Sequence, residues 1–207
     1  MKKLFITLSF VLGLSAMALA QRGSTAERST TEFDVSVGYN SATVTTSNLN
    51  ADYRGGLSAG VGVEQYFSDS WGIKAKVLYD QKGWANGYYT SSNNFSITTD
   101  YALDYITVPL MADWHFGREK NWYLNFGPYI GFLLSAKTIA NSQDVKSYFN
   151  STDGGLDVGV GVRFPFANKN KFFIEINSQS GVANINNDNS GSTIRNSASA
   201  INVGLTF

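Results

Sequence analysis

The chain has 207 residues, with no Cys, 20 Gly, a single His and 14% aromatic side chains. Sixteen basic residues balance sixteen acidic ones, so nothing points to nucleic acid or another polyanion. The lack of Cys excludes a disulfide framework, thiolate metal sites, iron–sulfur ligation and a cysteine nucleophile, and a single His excludes multi-histidine metal sites.

The first element is an address. Met1-Lys2-Lys3 precedes an apolar stretch over residues 4–14 and small residues ending at Ala18-Leu19-Ala20. A basic start, a short apolar run and an A-x-A site describe a secretory signal peptide over residues 1–20. A retained anchor is the weaker alternative, because the run is too short to span a bilayer. Residues 21–32 are polar and aperiodic, and read as a flexible periplasmic lead-in. Residues 33–207 read as one all-β domain.

Within that domain, alternation of period two dominates. The first strand covers residues 33–40. Leu57, Ala59, Val61 and Val63 then alternate with Ser58, Gly60, Gly62 and Glu64, and Trp71 to Tyr79 alternate with Gly72, Lys74, Lys76, Leu78 and Asp80. Further strands fall at 105–116, 122–135, 156–166, 172–177 and 201–207, which makes eight. Short connections at 68–70, 117–121 and 167–170 alternate with long ones at 45–54, 83–100, 138–152 and 184–194. Short periplasmic turns and long extracellular loops mark an outer-membrane barrel.

The faces of the strands decide between a membrane barrel and a soluble one. The less apolar face carries Gly60, Gly62, Gly127, Gly131, Gly159 and Gly161 among its charges. Glycine has little use on a solvated exterior, but it relieves crowding inside a narrow barrel. The apolar face ends in rings beside the short turns, at Phe67, Trp71, Phe116, Trp122, Phe166 and Phe172, as an interfacial girdle does. The reading is an eight-stranded antiparallel up-and-down transmembrane β-barrel, with a secreted barrel or sandwich as its alternative.

Two segments carry a family resemblance: Tyr105-Ile106-Thr107-Val108-Pro109-Leu110, and Phe126-Gly127-Pro128-Tyr129-Ile130-Gly131-Phe132 continuing to Lys137. Leu156-Asp157-Val158-Gly159-Val160-Gly161 and the approach Arg195-Asn196-Ser197 extend it. The chain resembles the PorT-like, or outer membrane protein beta-barrel domain, group of Bacteroidetes. Members of that group often carry an acidic residue where this chain has Thr107. The resemblance implies a Gram-negative outer-membrane location and raises an accessory role in protein secretion. Terminal Val203, Leu205 and Phe207 are similar to the signal read by the barrel-assembly machinery; they also fit a plain last strand.

Glu64, Lys74, Lys76, Asp113, Asp157, Arg163 and Glu175 all fall on the inward phase and form the expected lumen charge network. Isolated charges in a narrow barrel are costly, so they should pair. About eight strands leave a lumen filled by side chains rather than an open diffusion channel. His115 would have to serve any Ser-His-carboxylate triad, but no G-x-S-x-G elbow accompanies it, and it reads as a girdle or lumen-mouth residue. Asn186-Asn187-Asp188 echoes the start of a calcium loop, yet Ser197 stands where the bidentate Glu belongs. No cofactor or metal is expected. Trp84, Tyr88, Tyr89 and Phe95, set among Gly, Ser and Asn, have the composition of recognition loops. They are the expected extracellular contacts, and would serve a hairpin extension or an outer girdle equally well. The expected partners are outer-membrane lipid, the assembly machinery, and envelope or secretion proteins, for a monomeric barrel.

Overall fold

A computed structural model describes residues 31–46, 51–90, 96–167, 170–187 and 192–207. It contains β1 (Thr31–Thr46), β2 (Arg54–Tyr66), β3 (Trp71–Thr90), β4 (Ser96–Phe116), β5 (Trp122–Thr138), β6 (Thr152–Ala167), β7 (Asn170–Gly181) and β8 (Ile194–Thr206). Each strand pairs antiparallel with the next, and β1 pairs with β8, so the sheet closes into a barrel. Closure gives every strand two neighbours and leaves no open edge over the paired length, the condition lipid imposes on a spanning sheet.

The alternation orients the strands. Val35, Val37, Val61, Ile73, Val77, Leu110, Phe126, Ile130, Val158 and Ile174 are exposed on the outer surface, while Lys74, Asp113, Asn125, Asp157 and Glu175 are buried inside. This inversion of a soluble protein's pattern is what a lipid solvent requires. Inward glycines make room for the neighbouring strand's side chain. Gly161, in register with Tyr123, is the clearest case: a Cβ there would overlap the tyrosine ring.

Several boundaries differ from the sequence reading. β1 begins at Thr31, so Thr31 and Glu32 belong to the barrel rather than to a flexible lead-in; residues 1–30 lie outside the described residues. The segment 83–100 is mostly strand, because β3 continues to Thr90 and β4 starts at Ser96. A register shift between Trp84 and Gly87 interrupts the alternation there. Gly83 at φ +120° and Asn86 at φ 57° take up the bend, and such a bulge disguises a strand as a loop. A second shift at Asp104/Tyr105 flips the phase of β5 beyond Leu133, so that Ala136 and Thr138 rather than Ser135 and Lys137 face inward.

Candidate functional site: the barrel lumen

Near the short turns, Glu64 is the hub of an ionic layer. Its Oε1 meets His115 Nε2 at 2.7 Å, and its Oε2 accepts from Arg163 Nη2 at 2.5 Å and lies 3.5 Å from Lys74 Nζ. Lys74 also pairs with Asp113. Arg163 reaches Glu32 at 3.0 Å and donates to the Tyr66 hydroxyl, and Lys171 closes on Glu32 at 2.5 Å. Tyr123 stacks its ring under both cations, 4.4 Å from Lys74 Nζ and 4.8 Å from the Arg163 guanidinium carbon. Three carboxylates (Glu32, Glu64, Asp113) therefore meet three cations (Lys74, Arg163, Lys171). Register explains the assembly: Glu64 lies opposite Lys74 on β3 and opposite Glu32 on β1. Arg163, from β6 across the lumen, bridges the two like charges.

The middle layer turns on Lys76, which crosses from β3 to Glu175 on β7 at 2.8 Å. Asn125 donates to the other Glu175 oxygen at 2.9 Å. Asp157 was expected to pair with a cation but is held by amides instead, Gln179 at 3.0 Å and Asn177 at 3.3 Å. Lys76, the nearest candidate cation, is already committed to Glu175. A cavity beside Lys76, Asp157 and Asn202 has a volume of about 10 Å³, roughly the space of one water.

The third nearest the long connections is closed differently. Lys82 and Asp153, both fully buried, pair at 3.4 Å. Tyr129 and Asn196 also donate to Asp153, at 3.2 and 3.0 Å, and Lys82 sits 4.6 Å from the Tyr129 ring centroid. Above them lies an apolar cap: Val44, Trp84, Tyr101, Leu103, Leu133, Val145, Phe149, Ile185 and Ile194. The Trp84 and Tyr101 rings stack at 4.5 Å and Phe149 meets both edge-on. Val145 and Phe149 come from the β5–β6 connection, which contains the short 3-10 turn Lys146–Tyr148, and Ile185 comes from the β7–β8 connection. Asn150 N to Ile185 O at 2.8 Å and Asn187 N to Tyr148 O at 2.9 Å join the two connections.

Glu64, Lys74, Asp113 and Arg163 come together in the lower layer, and Lys76, Asp157 and Glu175 in the middle one. Glu32, Tyr66, Tyr123, Asn125, Lys82 and Asp153 are further members that the sequence reading did not single out. Lys82 and Asp153 continue the inward alternation and were open to the same argument; Glu32 was lost with the lead-in. Of the two positions expected for His115, girdle or lumen mouth, the girdle is excluded, because β4 places the imidazole on the inward phase in line with Asp113. Trp84 belongs to the cap core and not to a surface contact, since it continues the inward phase of Lys74, Lys76, Asp80 and Lys82 ahead of the register shift. Tyr88 is exposed; the Tyr89 side chain and Phe95 lie outside the described residues. Val203 and Leu205 stand on the outer face, and Phe207 pairs its backbone with Phe33 at 2.9 and 3.2 Å. Thr107 is buried with no partner for its hydroxyl among the described residues.

Glu64, Asp113 and His115 bring one ligand atom each within 4.8 Å of one another, a spacing that would suit a metal ion. Lys74 and Arg163 already neutralise those carboxylates, so an ion would first have to displace the ammonium. The residues do not fit a resident metal.

The family model for the outer membrane protein beta-barrel domain matches residues 19–187. The chain belongs to that family. No curated protein matches it. Among solved structures it is similar to Neisserial surface protein A, with a TM-score of 0.51 and 16% identity over 84% of this chain and 95% of that one. It is likewise similar to OprG from Pseudomonas aeruginosa, with a TM-score of 0.51 and 11% identity over 86% and 97%. At these identities the likeness is one of fold. With the family, the closed sheet and the apolar outer belt together, the protein is an outer-membrane barrel seated in lipid.

Proposed function

We propose that the protein is a non-enzymatic outer-membrane barrel whose lumen is closed by its own side chains and whose extracellular connections meet envelope or environmental partners. The bridge from Lys76 to Glu175 carries this reading, since it spans the lumen at mid-height. Ionic closure below it and the aromatic cap above leave no described path for a solute. In this reading residues 1–20 are a leader removed on export, and the mature barrel is a monomer assembled through its terminal strand. The test is conductance in planar bilayers: the folded protein should give no steady open current. Porin-sized steps would overturn the proposal.

A second reading, an accessory role in protein secretion, rests on the PorT-like segments at 105–110 and 126–137. Deleting the gene should then trap exported cargo behind the outer membrane, and unchanged secretion would remove this reading. A lipid-modifying role for His115 finds no support in its surroundings, because the imidazole is buried on Glu64 and away from the lipid face.

A further inference from the structure

Lys74 is held between two carboxylates. Its Nζ lies against Asp113 Oδ2 and stands 3.5 Å from Glu64 Oε2, and all three side chains are buried. Register brings them together: Glu64 on β2 pairs with Lys74 on β3, and Gly72, the inward residue before Lys74, pairs with Asp113 on β4. Gly72 keeps the space open, since a Cβ there would meet Glu64 Oε1 at 2.8 Å. Neither Asp113 oxygen accepts an aligned hydrogen bond among the described residues, so the contact with Lys74 is ionic only. The other lumen lysines lack this arrangement. Among the described residues Lys76 meets Glu175 alone and Lys82 meets Asp153 alone.

Two further groups face Asp113. His115 Nε2 is 3.7 Å from Oδ1 and 2.7 Å from Glu64 Oε1, and Arg163 Nη2 is 3.9 Å from Oδ2. The site therefore combines an amine set against a buried carboxyl carbon, a second carboxylate beside the amine, and a proton carrier on the far carboxyl oxygen. These are the parts that an amide condensation needs.

We infer that Lys74 and Asp113 join in an intramolecular isopeptide bond once the barrel has closed. Nζ attacks Asp113 Cγ, a C–N bond forms and the Cγ–Oδ1 bond breaks. Nζ gives up two protons and Oδ1 gains two, so that oxygen leaves as water and the net charge of the layer is unchanged. No oxidant is required, because carbon and nitrogen keep their oxidation states. Glu64 takes the protons from Nζ, and His115, which bridges Glu64 and Oδ1, passes them to the leaving oxygen. Arg163 faces Oδ2, where negative charge develops in the tetrahedral intermediate. The Tyr123 ring under Lys74 helps to exclude the water that would reverse the step. The reaction runs once per chain, a self-modification without turnover. It leaves Glu32 and Glu64 balanced by Arg163 and Lys171, and ties β3 to β4 by a bond that detergent and heat do not open.

The test follows the full-length chain as it folds from urea into detergent, with peptides read by tandem mass spectrometry after boiling and digestion. The chain in urea should give separate peptides. The folded barrel should give one branched peptide joining Lys74 to Asp113, lighter than the two together by one water. Glu64→Gln should slow its appearance about a hundredfold, the scale of one acid–base group. A heat-dependent gel shift verifies that this variant has folded, and His115→Gln replaces it if it has not. A folded wild type without the branched peptide would overturn the inference. So would a branched peptide that forms as fast in the folded variant.

Discussion

Glu64 accepts from His115 and Arg163 and faces Lys74 as well, so removing it strands cations in a space that water does not readily reach. Breaking a buried pair by deleting one partner costs about 3–5 kcal/mol. Glu64→Ala should lower stability by that amount in urea unfolding followed by tryptophan fluorescence, whereas lipid-facing Val37→Leu should change it by less than about 0.5 kcal/mol. A Glu64→Ala loss below 1 kcal/mol would mean that the layer is hydrated and not closed. Gly161→Leu tests the same packing from the other side: its side chain must take the place of the Tyr123 ring, with a cost of about 1–3 kcal/mol and, by displacing that ring, a loosened ionic layer. At this scale much was readable beforehand. The inward phase identifies Glu64, Lys74, Lys76, Asp113, Arg163 and Glu175 because period two fixes the face of every side chain. Which of them touch is set by the stagger between strands far apart in the chain. That is why the amide partners of Asp157 and the bond from His115 to Glu64 emerge only in three dimensions.

Among the elements, the β5–β6 and β7–β8 connections act as one piece, because Phe149 and Ile185 share the cap and their backbones are hydrogen-bonded. Phe149→Ala should destabilise by about 3 kcal/mol, as loss of a buried ring does, and by itself should leave the bilayer non-conducting because Lys76 still spans the lumen. Even combined with Lys76→Ala it should give no steady current, because the layer of Glu64, Lys74 and Arg163 still crosses the lumen. Current from Phe149→Ala alone would place the barrier in the cap and not in the ionic layers. The hairpin of β3 and β4 was the hardest element to foresee. Its upper half carries Gly83, Asn86 and Gly87, residues that read as loop until the register shift is seen to need them. Pro109 leaves another trace: regular β3–β4 pairing skips from Leu110 to Thr107 around it, since proline offers no donor.

For the whole molecule, eight alternating segments and alternating short and long connections were enough to anticipate a closed barrel, because each feature follows from local sequence. The ring depends on a single seam, between β1 and β8. A chain truncated before Ile194 should lose the difference in gel mobility between unheated and boiled samples that the full-length barrel is expected to show. If the truncated chain kept that difference, closure would not depend on the last strand.

The pairing of Phe33 with Phe207 also has a bearing on time. β1 has no partner on one side until β8 has joined the sheet, and Glu32 meets Lys171 only once β7 is in place. Contacts this distant in sequence form late and slowly. During that interval β1 presents a bare edge able to pair with the wrong chain. The long wait for its last strand, more than any weakness of the finished ring, is the period in which this protein is most exposed to aggregation.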